Sequence, residues 1–195
     1  MAIRLKTKWH QTKRVSTRGK RNRARPRTME DRAGVVAFNI WKIALQTFRN
    51  MEQENFRFAT DDQAMDTLTE VIAFLVQITD RMVYGKVSEE DRTKLVNAIA
   101  IHLARTMENN QDDFAGSGDH RERFINTLNQ RFANYADCEY HDDGPGYAFK
   151  RYLGQKISEI LAETDNKWVI EHVMEIEIPQ AIKPLKQLIH SALGI

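Results

Sequence analysis

One stretch of the sequence decides the fold class: residues 60–85, TDDQAMDTLTEVIAFLVQITDRMVYG. Its apolar residues recur every three or four positions, the period of a helix that packs one face against a core. They are Met65, Leu68, Ile72, Leu75, Ile78 and Met82. Thr60, with Gln63 three residues later, is a capping pattern for a helix start. Gly85 is typical of the left-handed residue that follows a helix end. The stretch therefore predicts a helix over residues 61–84.

The same combination of cap and apolar stripe recurs along the chain from Thr28 onward. Each capping residue stands three positions before a side chain that can reach back to it. The pairs are Thr28 with Asp31, Thr60 with Gln63, Ser88 with Asp91, and Asp119 with Glu122. Helices are predicted at residues 29–52, 61–84, 89–109 and 147–163, and another after Asp119 that carries Phe124, Leu128, Phe132 and Tyr135. Polar loops are predicted at 110–118 and 137–146, and residues 167–195 are predicted as two short helices broken near Pro179 and Pro184.

These signals place the chain in the all-α class. We expect an irregular bundle of about five to seven helices, preceded by an extended basic N-terminal arm. Only Phe56-Arg57-Phe58 resembles a strand, and it is too short to seed a sheet. No repeat of fixed period is visible, which argues against a solenoid. We divide the chain into a basic arm, residues 1–28, and an acidic helical-bundle domain, residues 29–195.

The formal net charge of +2 hides an asymmetry along the chain. Residues 1–27 hold eleven of the 29 Lys and Arg side chains and none of the 27 Asp and Glu. The rest of the chain therefore has 18 basic against 27 acidic side chains, a charge of −9. A segment with so many like charges and so few apolar residues buries too little surface to offset its conformational entropy. We expect the arm to be disordered unless it is bound.

The composition of the arm is suited to polyanions. Lys and Arg neutralise phosphates and release counterions without reading a base sequence. The residues expected to do so are Lys13, Arg14, Arg18, Lys20, Arg21, Arg23, Arg25 and Arg27. Trp9 is a candidate for stacking on a base. The arm thus predicts binding to RNA, a ribonucleoprotein or DNA. It also fits an acidic protein surface, including the chain's own body or a second copy, an anionic membrane surface, or a targeting segment.

The loop at residues 137–146 has the pattern nearest to a metal site. Glu139, His141 and Asp143 alternate before a glycine, as in the opening of a calcium-binding EF-hand loop. The twelfth position of that loop needs a bidentate Glu and is Lys150 here. We therefore predict no bound metal or cofactor, with Glu139, His141 and Asp143 as the candidate ligands if one binds. An exposed acidic turn before the next helix is the competing interpretation.

Other enzyme patterns are weaker still. Cys138 and His141 are close enough in sequence to form a thiolate pair. The Glu-x-x-His spacing of di-iron proteins does not occur in the chain, and neither does a Gly-x-Ser-x-Gly or Walker sequence. We predict no catalytic residue. A metal-dependent or Cys/His enzyme with its site around residues 137–143 is the alternative.

These observations lead to one functional hypothesis. We expect a non-enzymatic interaction module, a component of a larger assembly, whose helical body binds a protein partner while its arm binds the polyanion. A membrane-surface adaptor is a further alternative. No apolar run approaches the roughly 20 residues of a membrane span, and no secretory signal is visible. With its single Cys138, the chain fits a reducing compartment, and we predict a cytoplasmic protein.

Overall fold

The structure, a computed structural model, describes residues 28–162 and 167–194, and the arm lies outside them. The described chain is an all-α bundle, as predicted. Its helices are α1 (Met29–Gln53), α2 (Asp61–Val83), α3 (Glu89–Ala115), α4 (His120–Tyr135), α5 (Tyr147–Ile160), α6 (Val169–His172) and α7 (Ile178–Leu193). A π-helical turn, Val173–Glu177, joins α6 to α7, so these three segments form one long C-terminal helix.

Helix α2 lies at the centre of the bundle. It packs against α1, α3, α4, α5 and α7. Every residue from Thr67 to Thr79 is buried, including those outside the predicted apolar stripe. Two threonines at this depth satisfy their hydroxyl groups locally, since Thr69 and Thr79 donate to the carbonyl oxygens of Met65 and Leu75 at 2.8 Å. A charged side chain buried on such a helix is costly unless it is paired inside the bundle, and Glu70 is paired with Arg131 on α4.

Three of the four predicted helix caps are confirmed. The hydroxyl groups of Thr28, Thr60 and Ser88 each accept a hydrogen bond from the backbone N–H three residues later, at 3.1 Å. The cap predicted at Asp119 is wrong, because its side chain makes no capping hydrogen bond. Asp119 has φ −80° and ψ 34°, whereas a capping residue needs the extended conformation that aims its side chain at the first turn. Gly85, with φ +71°, is left-handed as predicted.

The predicted loop at residues 110–118 is mostly wrong, because α3 continues to Ala115. Asn110 and Gln111 are buried, and Asn110 Nδ2 donates to the carbonyl of Thr106 at 2.7 Å. The sequence reads as polar here, but packing against the bundle keeps the segment helical. The helix ends at Ala115, and the next residue, Gly116, has a φ of +80°, which is accessible mainly to glycine.

Pro179 and Pro184 do not divide the tail into two short helices, so that prediction is also wrong. Pro179 lies in the first turn of α7, where a helix tolerates a missing N–H. Just before it, the N–H of Ile178 bonds to the carbonyl of Val173, five residues back, in the π-helical turn. Pro184 lies inside α7. Burial of the apolar face of α7 offsets the roughly 3 kcal/mol cost of an interior proline; that face comprises Ile178, Ala181, Ile182, Leu185, Ile189 and Leu193.

The predicted loop at residues 137–146 contains a very short hairpin. Strands β1 (Tyr140–His141) and β2 (Gly144–Pro145) pair antiparallel, with Tyr140 opposite Pro145. Gly144 has a φ of +141°, which its lack of a Cβ permits. The hairpin places residues 143–145 beside α7, where they form one wall of a groove.

Candidate functional site

The residues predicted to bind polyanions lie outside the described part of the chain. They are Trp9, Lys13, Arg14, Arg18, Lys20, Arg21, Arg23, Arg25 and Arg27. The described chain begins at Thr28, which is tied to α1 by a reciprocal cap. Thr28 Oγ1 accepts from the N–H of Asp31, and the Asp31 carboxylate accepts from the N–H of Thr28, both at 3.1 Å. The arm therefore joins the bundle at a helix start whose position is held by two hydrogen bonds.

The three candidate metal ligands are only partly brought together. His141 Nε2 lies 3.6 Å from Glu139 Oε2 at the exposed hairpin. At Asp143 the backbone carbonyl, rather than the carboxylate, accepts a hydrogen bond from Lys186 Nζ at 2.6 Å. Across residues 28–162 and 167–194, no group of three or more His, Cys, Asp or Glu side chains is arranged to hold a metal ion. The geometry of the hairpin is that of an acidic turn tied to α7 by a lysine.

Cys138 lies at the start of the same loop, in a partly buried position. Its thiol is 3.9 Å from the carbonyl of Asn134. Burial raises the pKa of this thiol, and Asp137 raises it further, against the opposing effect of Arg81. A raised pKa reduces the thiolate population at neutral pH, the reverse of what an activated nucleophile requires.

The hairpin and α7 enclose a groove of about 500 Å³, which we call the lysine groove. Lys150, in the first turn of α5, and Lys183 and Lys186, on α7, line it. Its floor is apolar and includes Pro145, Ile178, Pro179 and Ile182. Asp143 is the acidic residue of the lining. Three cations around an apolar floor can receive a ligand that combines negative charge with an apolar part.

A second group of side chains lies where the C-terminal helix crosses α1. We call it the His172 cluster. Its members are His172, Glu177, Asn50, Gln180 and Phe56. His172 Nε2 is 3.0 Å from Glu177 Oε1, and Asn50 Nδ2 donates to Glu177 Oε2 at 3.2 Å and to Gln180 Oε1 at 3.1 Å. The Phe56 ring lies 4.8 Å from the imidazole. The Glu177 side chain is only 2% exposed. The π-helical turn places His172 and Glu177, five residues apart, close enough for this contact.

Glu177 is expected to make the protein less stable as the pH rises, and Glu177→Gln is expected to remove that effect. Burial raises the pKa of Glu177 above 4.5, although hydrogen bonds from His172 and Asn50 oppose the shift. The folded state then binds the proton more tightly than the unfolded state. This stabilisation is complete below about pH 4.5 and is lost as the pH rises through the folded pKa. Urea unfolding of both proteins between about pH 4 and pH 6 measures the difference. Parallel stability curves would contradict the expectation.

Neither the lysine groove nor the His172 cluster was recognised in the sequence. The lysines are separated by more than thirty residues between Lys150 and Lys183, and only the fold brings them together. For the cluster, one signal was present. His172 and Glu177 flank the segment just before Pro179, and a proline there favours an irregular helical turn upstream.

None of the helices in the described residues is long and apolar enough to cross a membrane. Comparison of the chain with protein-family models, with curated proteins and with solved structures gave no match.

Proposed function

We propose that this protein is a non-enzymatic, cytoplasmic interaction module whose arm binds RNA, a ribonucleoprotein or DNA and whose helical body binds a protein partner. The observation that carries the proposal is the charge distribution. Residues 1–27 hold eleven cationic and no acidic side chains, and the body, residues 28–195, has a formal net charge of −9. An acidic body is repelled by phosphates, so binding of a nucleic acid is directed to the arm.

The junction between the two parts supports this division of roles. Thr28 and Asp31 hold the start of α1, so the arm leaves the bundle from a rigid point. An arm attached in this way can follow a phosphate backbone while the bundle remains free to engage a second molecule. The lysine groove, which combines three lysines with an apolar floor, is the candidate surface of the described body for such a second molecule.

The test replaces Arg21, Arg23, Arg25 and Arg27 with glutamine in the full chain. Loss of about four phosphate contacts is expected to lower the slope of log affinity against log salt by roughly 3 to 4 on duplex DNA. A matched control replaces four exposed cations of the body: Lys42, Lys86, Arg121 and Arg151. The control is expected to keep the slope of the unmodified chain. Equal slopes for the two variants would place nucleic-acid binding on the body and refute the proposal.

A further inference from the structure

The lysine groove differs in charge from the body around it. Residues 28–195 carry −9 overall, yet Lys150, Lys183 and Lys186 line one groove against Asp143. Lys186 Nζ donates to the backbone carbonyl of Asp143 and so fixes the hairpin wall against α7. Lys183 is exposed and Lys150 half-buried. A local cluster of positive charge on an acidic surface selects a negatively charged occupant by complementarity.

The floor of the groove limits what the occupant can be. Ile178 and Ile182 are already packed into the bundle, with 2% and 8% of their surfaces exposed. The apolar surface left for a ligand is therefore shallow and lies mainly on Pro145 and Pro179. A lipid acyl chain needs a deep apolar channel to leave water, which this floor does not provide. One medium-sized apolar side chain, flanked by carboxylates, matches a shallow floor with a cationic rim.

The dimensions also suit a peptide. The lining on α7 extends from Ile178 to Gln187, which corresponds to roughly 14 Å of helix at 1.5 Å per residue. A segment of two to three helical turns, or a shorter extended segment, covers that length. Side chains from α5, α7 and the hairpin then contact one occupant from three sides.

We propose that the lysine groove binds an acidic segment of a partner protein, with one apolar anchor side chain over Pro145 and Pro179 and carboxylates paired to Lys150 and Lys183. This inference rests on the proposed function, because it names the chemistry of the protein partner assigned there to the body. The inference does not depend on the arm. Binding by the groove is tested with a peptide, and binding by the arm is tested with duplex DNA.

The experiment measures binding of a labelled synthetic peptide, a leucine flanked by glutamates, to the full chain at about 0.15 M salt. Lys150→Glu together with Lys183→Glu is expected to weaken binding about tenfold or more, because two attractive pairs become repulsive. Lys186 is left unchanged because it holds the hairpin. The matched control, Lys86→Glu with Arg121→Glu, makes the same change in net charge at exposed positions outside the groove, with the arm intact. It is expected to bind within about twofold of the unmodified chain.

A milder variant and a location check separate binding from folding. The double variant Lys150→Gln with Lys183→Gln should bind the peptide with an affinity between that of the unmodified chain and that of the double glutamate variant. Its thermal unfolding should be unchanged. A photoreactive group in place of the peptide's leucine should cross-link to the hairpin or to α7. A peptide with glutamines in place of glutamates should not bind the groove.

Three results would overturn the inference. One is equal peptide affinity for the groove variant and its control, which would place the peptide elsewhere, for instance on the arm. Another is that the chain binds phosphatidylserine vesicles but not the peptide, and that this vesicle binding depends on Lys150 and Lys183. The third is a groove occupied by a second copy, seen as a dimer that the groove variant abolishes. The salt dependence of duplex DNA binding, measured with Arg21, Arg23, Arg25 and Arg27 replaced by glutamine, is a separate measurement, so the groove can fail while the proposed function of the arm stands.

Discussion

The affinity of the full chain for duplex DNA is expected to fall by about 10³ to 10⁵ between 50 and 200 mM salt. This range follows from six to ten phosphate contacts, each of which releases counterions on binding. The arm supplies eleven cations for these contacts, of which Arg21, Arg23, Arg25 and Arg27 alternate at its end. Fluorescence anisotropy with a labelled duplex, titrated at several salt concentrations, measures the effect directly.

The deletion of residues 1–27 is the control for this prediction. It should abolish DNA binding at all these salt concentrations. It should also leave the thermal unfolding almost unchanged, because within the described part of the chain the core is formed by side chains from Ala33 onward. DNA binding that survives the deletion, or that is insensitive to salt, would contradict a phosphate-binding arm.

Arg131→Met is expected to destabilise the fold by about 3 to 5 kcal/mol. Arg131, on α4, donates from Nε to Glu70 Oε2 at 2.7 Å and from Nη2 to Glu70 Oε1 at 2.5 Å. The two side chains are only 11% and 6% exposed. The hydrogen bonds to Glu70 raise the pKa of Arg131 against the effect of burial. Removing the guanidinium leaves the Glu70 carboxylate buried without its partner, which is costly in a low-dielectric interior.

The same two helices provide a matched control. Asp66 and Arg123 also join α2 to α4, at 3.0 Å, but their side chains are 40% and 60% exposed. Arg123→Met is therefore expected to cost about 0 to 1 kcal/mol. A double variant, Glu70→Leu with Arg131→Met, should recover most of the lost stability because no charge is left buried. Urea unfolding of all three variants measures these differences. Equal costs for Arg131→Met and Arg123→Met would refute the argument.

Two errors of the sequence-based prediction, the loop at residues 110–118 and the broken tail, share one cause. The polarity of Asn110 and Gln111 predicts a loop, yet both are buried in α3. Pro184 was expected to break the tail, yet it lies within α7. In each case the local preference is worth about 1 to 3 kcal/mol, and burial of the apolar face of the same helix exceeds it.

The position of α2 also escaped prediction. Its stripe from Met65 to Met82 predicts a helix that packs one face against a core. Packing by five helices buries Glu70 and Gln77 as well. Periodicity reports which side of a helix is apolar, but the number of neighbours that cover a helix depends on the arrangement of the whole bundle.

The sequence by itself determined the helical class, the capped starts at Thr28, Thr60 and Ser88, the left-handed turn at Gly85 and the separation of charge between arm and body. These features depend on residues within a few positions of one another or on composition, so they can be read without a fold. The tertiary structure decided the Glu70–Arg131 pair, the His172 cluster and the lysine groove. Each of them joins residues that are far apart in the sequence, and only long-range packing sets the distances between those residues.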